Sequence, residues 1–94
     1  MKSGFVYIMS NHKRTVVYIG VTANIKARVA QHKEGKGSIF TSKYKCFYLV
    51  YYEQHLFIGE AIKRETQMKR WKRTWKNELI ETVNPNWKDL WKEL

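Results

Sequence analysis

A chain of 94 residues suits one compact domain, residues 1–94, and its hydrophobic fraction of 44% argues against disorder. Eighteen Lys and Arg against eight Asp and Glu give a net charge of +10, which favours a polyanionic partner, nucleic acid ahead of an anionic membrane surface. No apolar run approaches the roughly 18 residues of a membrane span, Met1-Lys2-Ser3-Gly4 lacks a signal-peptide pattern, and the single cysteine, Cys46, reads as the buried thiol of a cytoplasmic protein.

Phe5-Val6-Tyr7-Ile8-Met9 is apolar, aromatic and β-branched, as a strand should be. Ser10 to Thr15 reads as a turn and Val16 to Gly20 as a second strand. The short connection predicts an antiparallel hairpin in which Ser10 pairs with Thr15 and Tyr7 lies opposite Tyr18. Asn24 is placed to cap a helix running to Lys33, ended by Gly35 and Gly37. Ser38 to Lys45 reads as a polar, basic loop, and Cys46 to Tyr52 as a third, central strand. A long helical pattern runs from Gly59 to Trp71, and Thr74 is placed to cap another through Val83. Asn84-Pro85-Asn86 breaks the chain before a short final helix from Trp87 to Leu94. The order β-β-α-β-α-α predicts an α/β (α+β) fold, a small three-stranded antiparallel sheet flanked by helices.

Three places break the apolar pattern. Tyr7 and Tyr18 are predicted on one face of the hairpin, where two packing tyrosines are the commoner outcome. Ile25, Arg28, Val29 and His32 share a helix face. There Arg28 can grip a phosphate and His32 can move a proton, although spacing alone favours Arg28 at the core edge and His32 on the surface. Glu65 falls on the stripe traced by Ile58, Ala61, Ile62, Met68 and Trp71. A carboxylate there needs a cation, and an ion pair with a neighbouring Lys or Arg stands level with a metal ion. Trp71 and Trp75 can stack on bases, though packing is favoured. His12 and His55 read as surface residues, and no zinc-ligand cluster, phosphate-cradling glycine loop or hydrolase serine motif is present.

Together these residues resemble the GIY-YIG nuclease superfamily, whose paired triads stand here as Phe5-Val6-Tyr7 and Tyr18-Ile19-Gly20. The family's helical arginine, the aromatic or histidine one turn later and the glutamate of a later helix match Arg28, His32 and Glu65. Lys36-Gly37-Ser38 with Thr41 and Tyr44, and Asn84-Pro85-Asn86-Trp87, are similar to its short single-domain branch, which is related to the nuclease domain of the nucleotide excision repair incision subunit. Phe5 replaces the first glycine of the family pattern, and Val21 stands where repair-type members often carry lysine.

The resemblance implies a divalent-metal-dependent endonuclease that hydrolyses DNA, in preference to RNA, with low sequence specificity. Glu65 would hold one magnesium or manganese ion, Arg28 would neutralise the phosphate, and His32 would contact the phosphate or relay a proton. Tyr7 would act as general base with Tyr18 orienting the water, an assignment the two tyrosines can exchange. Lys36, Lys43, Lys45, Lys69, Arg70 and Arg73 would hold the phosphate backbone without reading sequence. The competing class is a nucleic-acid-binding module without catalysis, or an accessory subunit of a DNA repair complex. The family's late asparagine is one of Asn77, Asn84 and Asn86.

Overall fold

The segment between Gly4 and Ser10 is buried on both sides of its backbone, and this places it in the middle of the sheet. The computed structural model describes residues 2–94. Strands β1 (Gly4–Ser10), β2 (Val17–Thr22) and β3 (Tyr48–His55) form one antiparallel sheet in the order β2-β1-β3. The helices are α1 (Ile25–Lys33), α2 (Ile39–Lys43), α3 (Ile58–Lys69) and α4 (Arg73–Val83), followed by a 3₁₀ turn at Leu90–Glu93. Among the described residues no helix is long and apolar enough to cross a membrane.

The expected central strand is therefore an edge strand. Its unbroken apolar run has two causes. A bulge sets Ile8 opposite Tyr51 but Met9 opposite Leu49, so Val50 is an extra residue, and both Val50 and Tyr51 join the same core cluster. The outer edge is covered by side chains: Asn84 Nδ2 donates to the Val50 carbonyl at 2.9 Å, and the Leu49 N–H donates to Asp89 Oδ1 at 3.2 Å. Lys33 Nζ donates to the Phe47 carbonyl just before the strand, at 3.0 Å. These bonds occupy the start of the outer edge, at Leu49 and Val50.

The hairpin register also differs from expectation. The Asn11 side-chain carbonyl accepts from the Thr15 and Val16 amides at 2.9 and 3.0 Å, and Arg14 takes a φ of 61°. The loop thus holds two more residues than the pattern suggested. Ser10 pairs with Val17, Tyr7 with Gly20 and Met9 with Tyr18. A slip of two leaves each side chain on its expected face, because the strand period is two.

Val6, Ile8, Ile19, Val50 and Tyr51 face α3 and α4 with Ala61, Met68, Ile80 and Trp87. Tyr7, Met9 and Leu49 face α1 with Ile25, Val29 and Cys46. Asn24 caps α1 by accepting from the Ala27 amide at 3.1 Å. Gly35, at φ 77°, ends α1: its N–H reaches the His32 carbonyl and that of Lys36 reaches the Gln31 carbonyl. The loop expected from Ser38 to Lys45 contains α2, capped by Ser38 Oγ on the Thr41 amide, and five residues are too few to show a period. In α3, Ile62 is exposed and leaves Glu65 between the buried Ala61 and Met68. Thr74 lies inside α4, whose cap position is Lys72. Trp87 takes a φ of 54°, so the expected final helix is reduced to the 3₁₀ turn at Leu90–Glu93, and Trp87 and Trp91 join opposite core clusters.

Candidate active site

The alternation of β1 aims Tyr7 at α1, and the antiparallel neighbour aims Tyr18 the same way. Their ring centroids are 6.4 Å apart. Spacing along α1 brings Arg28 and His32 to the same place. Arg28 Nε donates to the Tyr7 oxygen at 3.3 Å, and that oxygen lies 2.8 Å from His32 Nε2. The guanidinium only donates, so giving the phenol proton an acceptor assigns it to His32 Nε2 and places the proton of His32 on Nδ1. Nδ1 donates to Thr41 Oγ1 at 2.9 Å, and Thr41 Oγ1 lies 2.8 Å from Ser38 Oγ. A continuous chain of hydrogen bonds therefore runs from Arg28 through Tyr7, His32 and Thr41 to Ser38.

Two glycines make room for it. A Cβ on Gly20 would lie 2.3 Å from the Tyr7 oxygen, and one on Gly37 would lie 2.0 Å from His32 Nδ1. The last residue of the second triad is thus a seat for the tyrosine of the first.

His32 is 0% exposed, so the imidazole found here is no surface residue. Burial, with the Arg28 charge adding to it, holds its pKa down at about 4, so the ring is neutral at pH 7. Burial pushes the Tyr7 phenol up to about 12; Arg28 opposes the shift, and Tyr18 and Glu65 add to it. Tyr18 lies edge-on to His32 at 5.5 Å and is followed by Phe40 at 5.9 Å. Thr41 and Ser38 belong to this site, and sequence reasoning gave them no role. Ser38 three residues before Thr41 is a capping spacing, and it is the signal that points to α2.

Glu65 comes from α3, on the other face of the sheet. Its charge acts on the Tyr7 phenol, while among the described residues it makes no hydrogen bond to Tyr7, Tyr18, Arg28 or His32. Its side chain is 14% exposed and pairs with Lys69 Nζ at 3.2 Å, one turn on. The ion-pair alternative is thus present, with a largely exposed lysine as partner. No cluster of three or more His, Cys, Asp or Glu exists among the described residues. One partly accessible carboxylate fits magnesium or manganese, which complete their shells with water and phosphate oxygens, and does not fit zinc.

The expected phosphate contacts separate. Lys36 and Lys43 line an open cleft of about 540 Å³ beside α2. Lys45 and Arg70 are exposed, and Lys69 is the partner of Glu65. Arg73 has another task. Its guanidinium donates to the Asn77 side chain at 2.8 Å and to the Thr15 and Arg14 carbonyls at 3.0 and 2.7 Å, strapping α4 to the hairpin turn. Asn84, one of the three candidate asparagines, is buried and bonded to Val50 and Lys88, bracing the outer edge of β3. Trp71 and Trp75 meet edge-on at 6.2 Å; Trp71 packs against the core, and Trp75 is half exposed.

Residues 3–78 match the GIY-YIG catalytic domain. A UPF0213 protein of Staphylococcus haemolyticus is 37% identical over 81 residues, covering 86% of this chain and 98% of the relative. A UPF0213 protein of Staphylococcus aureus is 36% identical over 80 residues, covering 85% and 96%. The solution NMR structure of a UPF0213 protein from Bacillus halodurans shares the fold with a TM-score of 0.59 and 25% identity, over 93% of this chain and 92% of that one. The chain belongs to the GIY-YIG nuclease family, as a short single-domain member similar to the UPF0213 proteins.

Proposed function

We propose that the chain is a metal-dependent endonuclease that cleaves DNA phosphodiester bonds with little sequence preference. One observation carries this reading: the Tyr7 hydroxyl is held between a cation that can only donate, Arg28, and a neutral imidazole that accepts, His32.

With a pKa of about 12, Tyr7 is protonated at pH 7. It therefore acts as a base by exchange: it takes a proton from the attacking water while passing its own to His32 Nε2. The water oxygen forms the new bond to phosphorus and the bond to the leaving oxygen breaks; the leaving alkoxide takes a proton from solvent, and His32 returns its extra proton through Tyr7 to solvent. His32 is too deeply buried to touch the phosphate, which leaves it the relay role. Thr41 holds the proton-bearing Nδ1, so the accepting nitrogen faces Tyr7. Arg28 Nη1 donates to Gln31 at 3.0 Å and Nε to Tyr7, leaving Nη2 for a non-bridging oxygen. Glu65 would hold a magnesium or manganese ion, which would supply Lewis-acid stabilisation of the charge that develops on the phosphoryl group.

The raised phenol pKa and the Glu65–Lys69 pair favour one other reading, a nucleic-acid-binding module without catalysis or an accessory subunit of a larger complex. A nicking assay on supercoiled plasmid with magnesium, manganese or EDTA decides between them. Metal-dependent nicking lost in Tyr7→Phe supports the nuclease. Arg28→Ala should slow single-turnover cleavage by about 2.7–4 kcal/mol of barrier, the usual effect of one transition-state donor. Wild-type protein that binds DNA and never cuts it under any of these ions supports the second reading.

A further inference from the structure

We propose that α2 and Tyr44 form a stacking platform for unpaired nucleotides, so that the substrate carries single-stranded nucleic acid beside the bond to be cut. The proposal rests on the nuclease reading and names its substrate class.

α2 is a short helix whose one buried residue is Thr41, the partner of His32. Its other large side chains face outward. Ile39 is 89% exposed, Phe40 41% and Tyr44 42%. A solvated helix presents polar residues outward, so three large apolar groups in six positions require another explanation. Two of them form a ladder that begins at the candidate catalytic tyrosine: Phe40 lies 5.9 Å from Tyr18 and 4.8 Å from Tyr44.

The charge around the ladder favours nucleic acid over a protein partner. Lys43 Nζ lies over the Tyr44 ring at 5.3 Å, and Lys36 and Lys43 line the adjoining cleft with Ser38, Ile39 and Ser42. Aromatic faces flanked by lysines are the chemistry that holds a single strand, with rings taking base faces and ammonium groups following phosphates. Paired bases have both faces covered by their neighbours. Away from the ends of a duplex, only an unpaired nucleotide can offer a face to Phe40 or Tyr44. Because the ladder runs directly to Tyr18, a strand stacked on it is led to the bond-breaking groups.

The test compares binding of the whole protein, in EDTA, to a labelled oligonucleotide as a single strand, as a blunt duplex and as a duplex with a single-stranded flap. Wild type should bind the single strand and the flap several-fold more tightly than the duplex. Tyr44→Ala, whose ring does not touch Tyr18, and Phe40→Ala should each weaken single-strand binding about tenfold and duplex binding little. Phe40→Trp should restore it. Leu56→Ala, an exposed apolar residue outside the platform, serves as the control that changes nothing. Equal affinity for duplex and single strand, or single-strand binding unaffected by both alanine variants, overturns the proposal and leaves the apolar surface to a protein partner. Cleavage is scored separately with magnesium. Duplex cut without single-strand preference removes the platform and keeps the nuclease; single-strand preference without cutting does the reverse.

Discussion

The Cα of Gly20 lies beneath the Tyr7 hydroxyl, so close that an added Cβ would stand 2.3 Å from the oxygen. Tyr7 cannot simply move aside, since His32 and Arg28 hold that oxygen from two directions. Gly20→Ala should therefore displace the phenol and cost about 1–3 kcal/mol of stability, the usual scale of overpacking. Cleavage should fall as far as in Tyr7→Phe. Denaturant melts and plasmid nicking measure both, and an alanine variant with wild-type nicking would show that Tyr7 needs no fixed position.

Thr41 is the acceptor for the proton-bearing nitrogen of a fully buried imidazole. Thr41→Val keeps the shape and leaves that N–H without a partner, at a cost of about 1–3 kcal/mol. It also removes the reason for the Nδ1–H tautomer, so Nε2 no longer reliably accepts from Tyr7. The expected result is a lower kcat with a nearly unchanged KM, restored by Thr41→Ser. If valine and serine variants cut at the same rate, Thr41 is merely a packing residue.

His32 makes stability depend on acid. Unfolded, it takes up a proton near 6.5; folded, only at about 4. Protons therefore favour the unfolded chain between those values. The stabilisation is complete above pH 6.5 and is lost as the pH falls toward 4, an amount of about 3 kcal/mol. Urea unfolding at pH 7.5 and pH 4.5 should show a steeper loss in wild type than in His32→Gln. Parallel loss in the two proteins would mean that His32 is not held neutral.

How much of this was legible in the sequence follows from how far apart the contacts are. Tyr7 and Tyr18 survive a wrong register because a slip of two preserves the face. Arg28 and His32 are four residues apart, and helical spacing alone puts them together. Thr41 meets His32 through a helix too short to have a period. The position of β3 depends on Asn84 and Asp89, which cover its edge from 34 and 40 residues away. Local pattern contains neither of the last two facts. Gly37 shows the same limit: it reads as a helix stop, while its role is to let the His32 ring pass.

The basic residues should divide into two classes. Lys36→Gln with Lys43→Gln removes two phosphate contacts and should lower the slope of log affinity against log salt by about 1.8. Arg73→Gln should leave that slope unchanged and destabilise the fold by about 1–3 kcal/mol, because Thr15, Arg14 and Asn77 lose their donor. Anisotropy titrations at several salt concentrations, with thermal melts, separate them. A reduced slope in Arg73→Gln would return it to the binding surface.

Glu65 is the residue on which the metal reading depends. Among the described residues its ion-pair partner is Lys69, half exposed and one turn away, a pair worth about 0.3–0.5 kcal/mol. Glu65→Gln keeps the shape and strands no buried cation, so stability should change by less than about 1 kcal/mol. The neutral amide also removes a charge that raises the Tyr7 pKa, which should shift the phenol downward. If Tyr7 needed only its own chain of hydrogen bonds, that change would leave cleavage intact or quicken it. If Glu65 holds the ion, cleavage should collapse while DNA binding persists or tightens, since a negative charge near the phosphates is gone. Manganese binding followed by electron paramagnetic resonance gives a readout apart from turnover: wild type should take up the ion and Glu65→Gln should take up far less. A stable Glu65→Gln protein that binds manganese as wild type does and cuts DNA at the wild-type rate would refute the metal site and leave Glu65 as a helix ion pair.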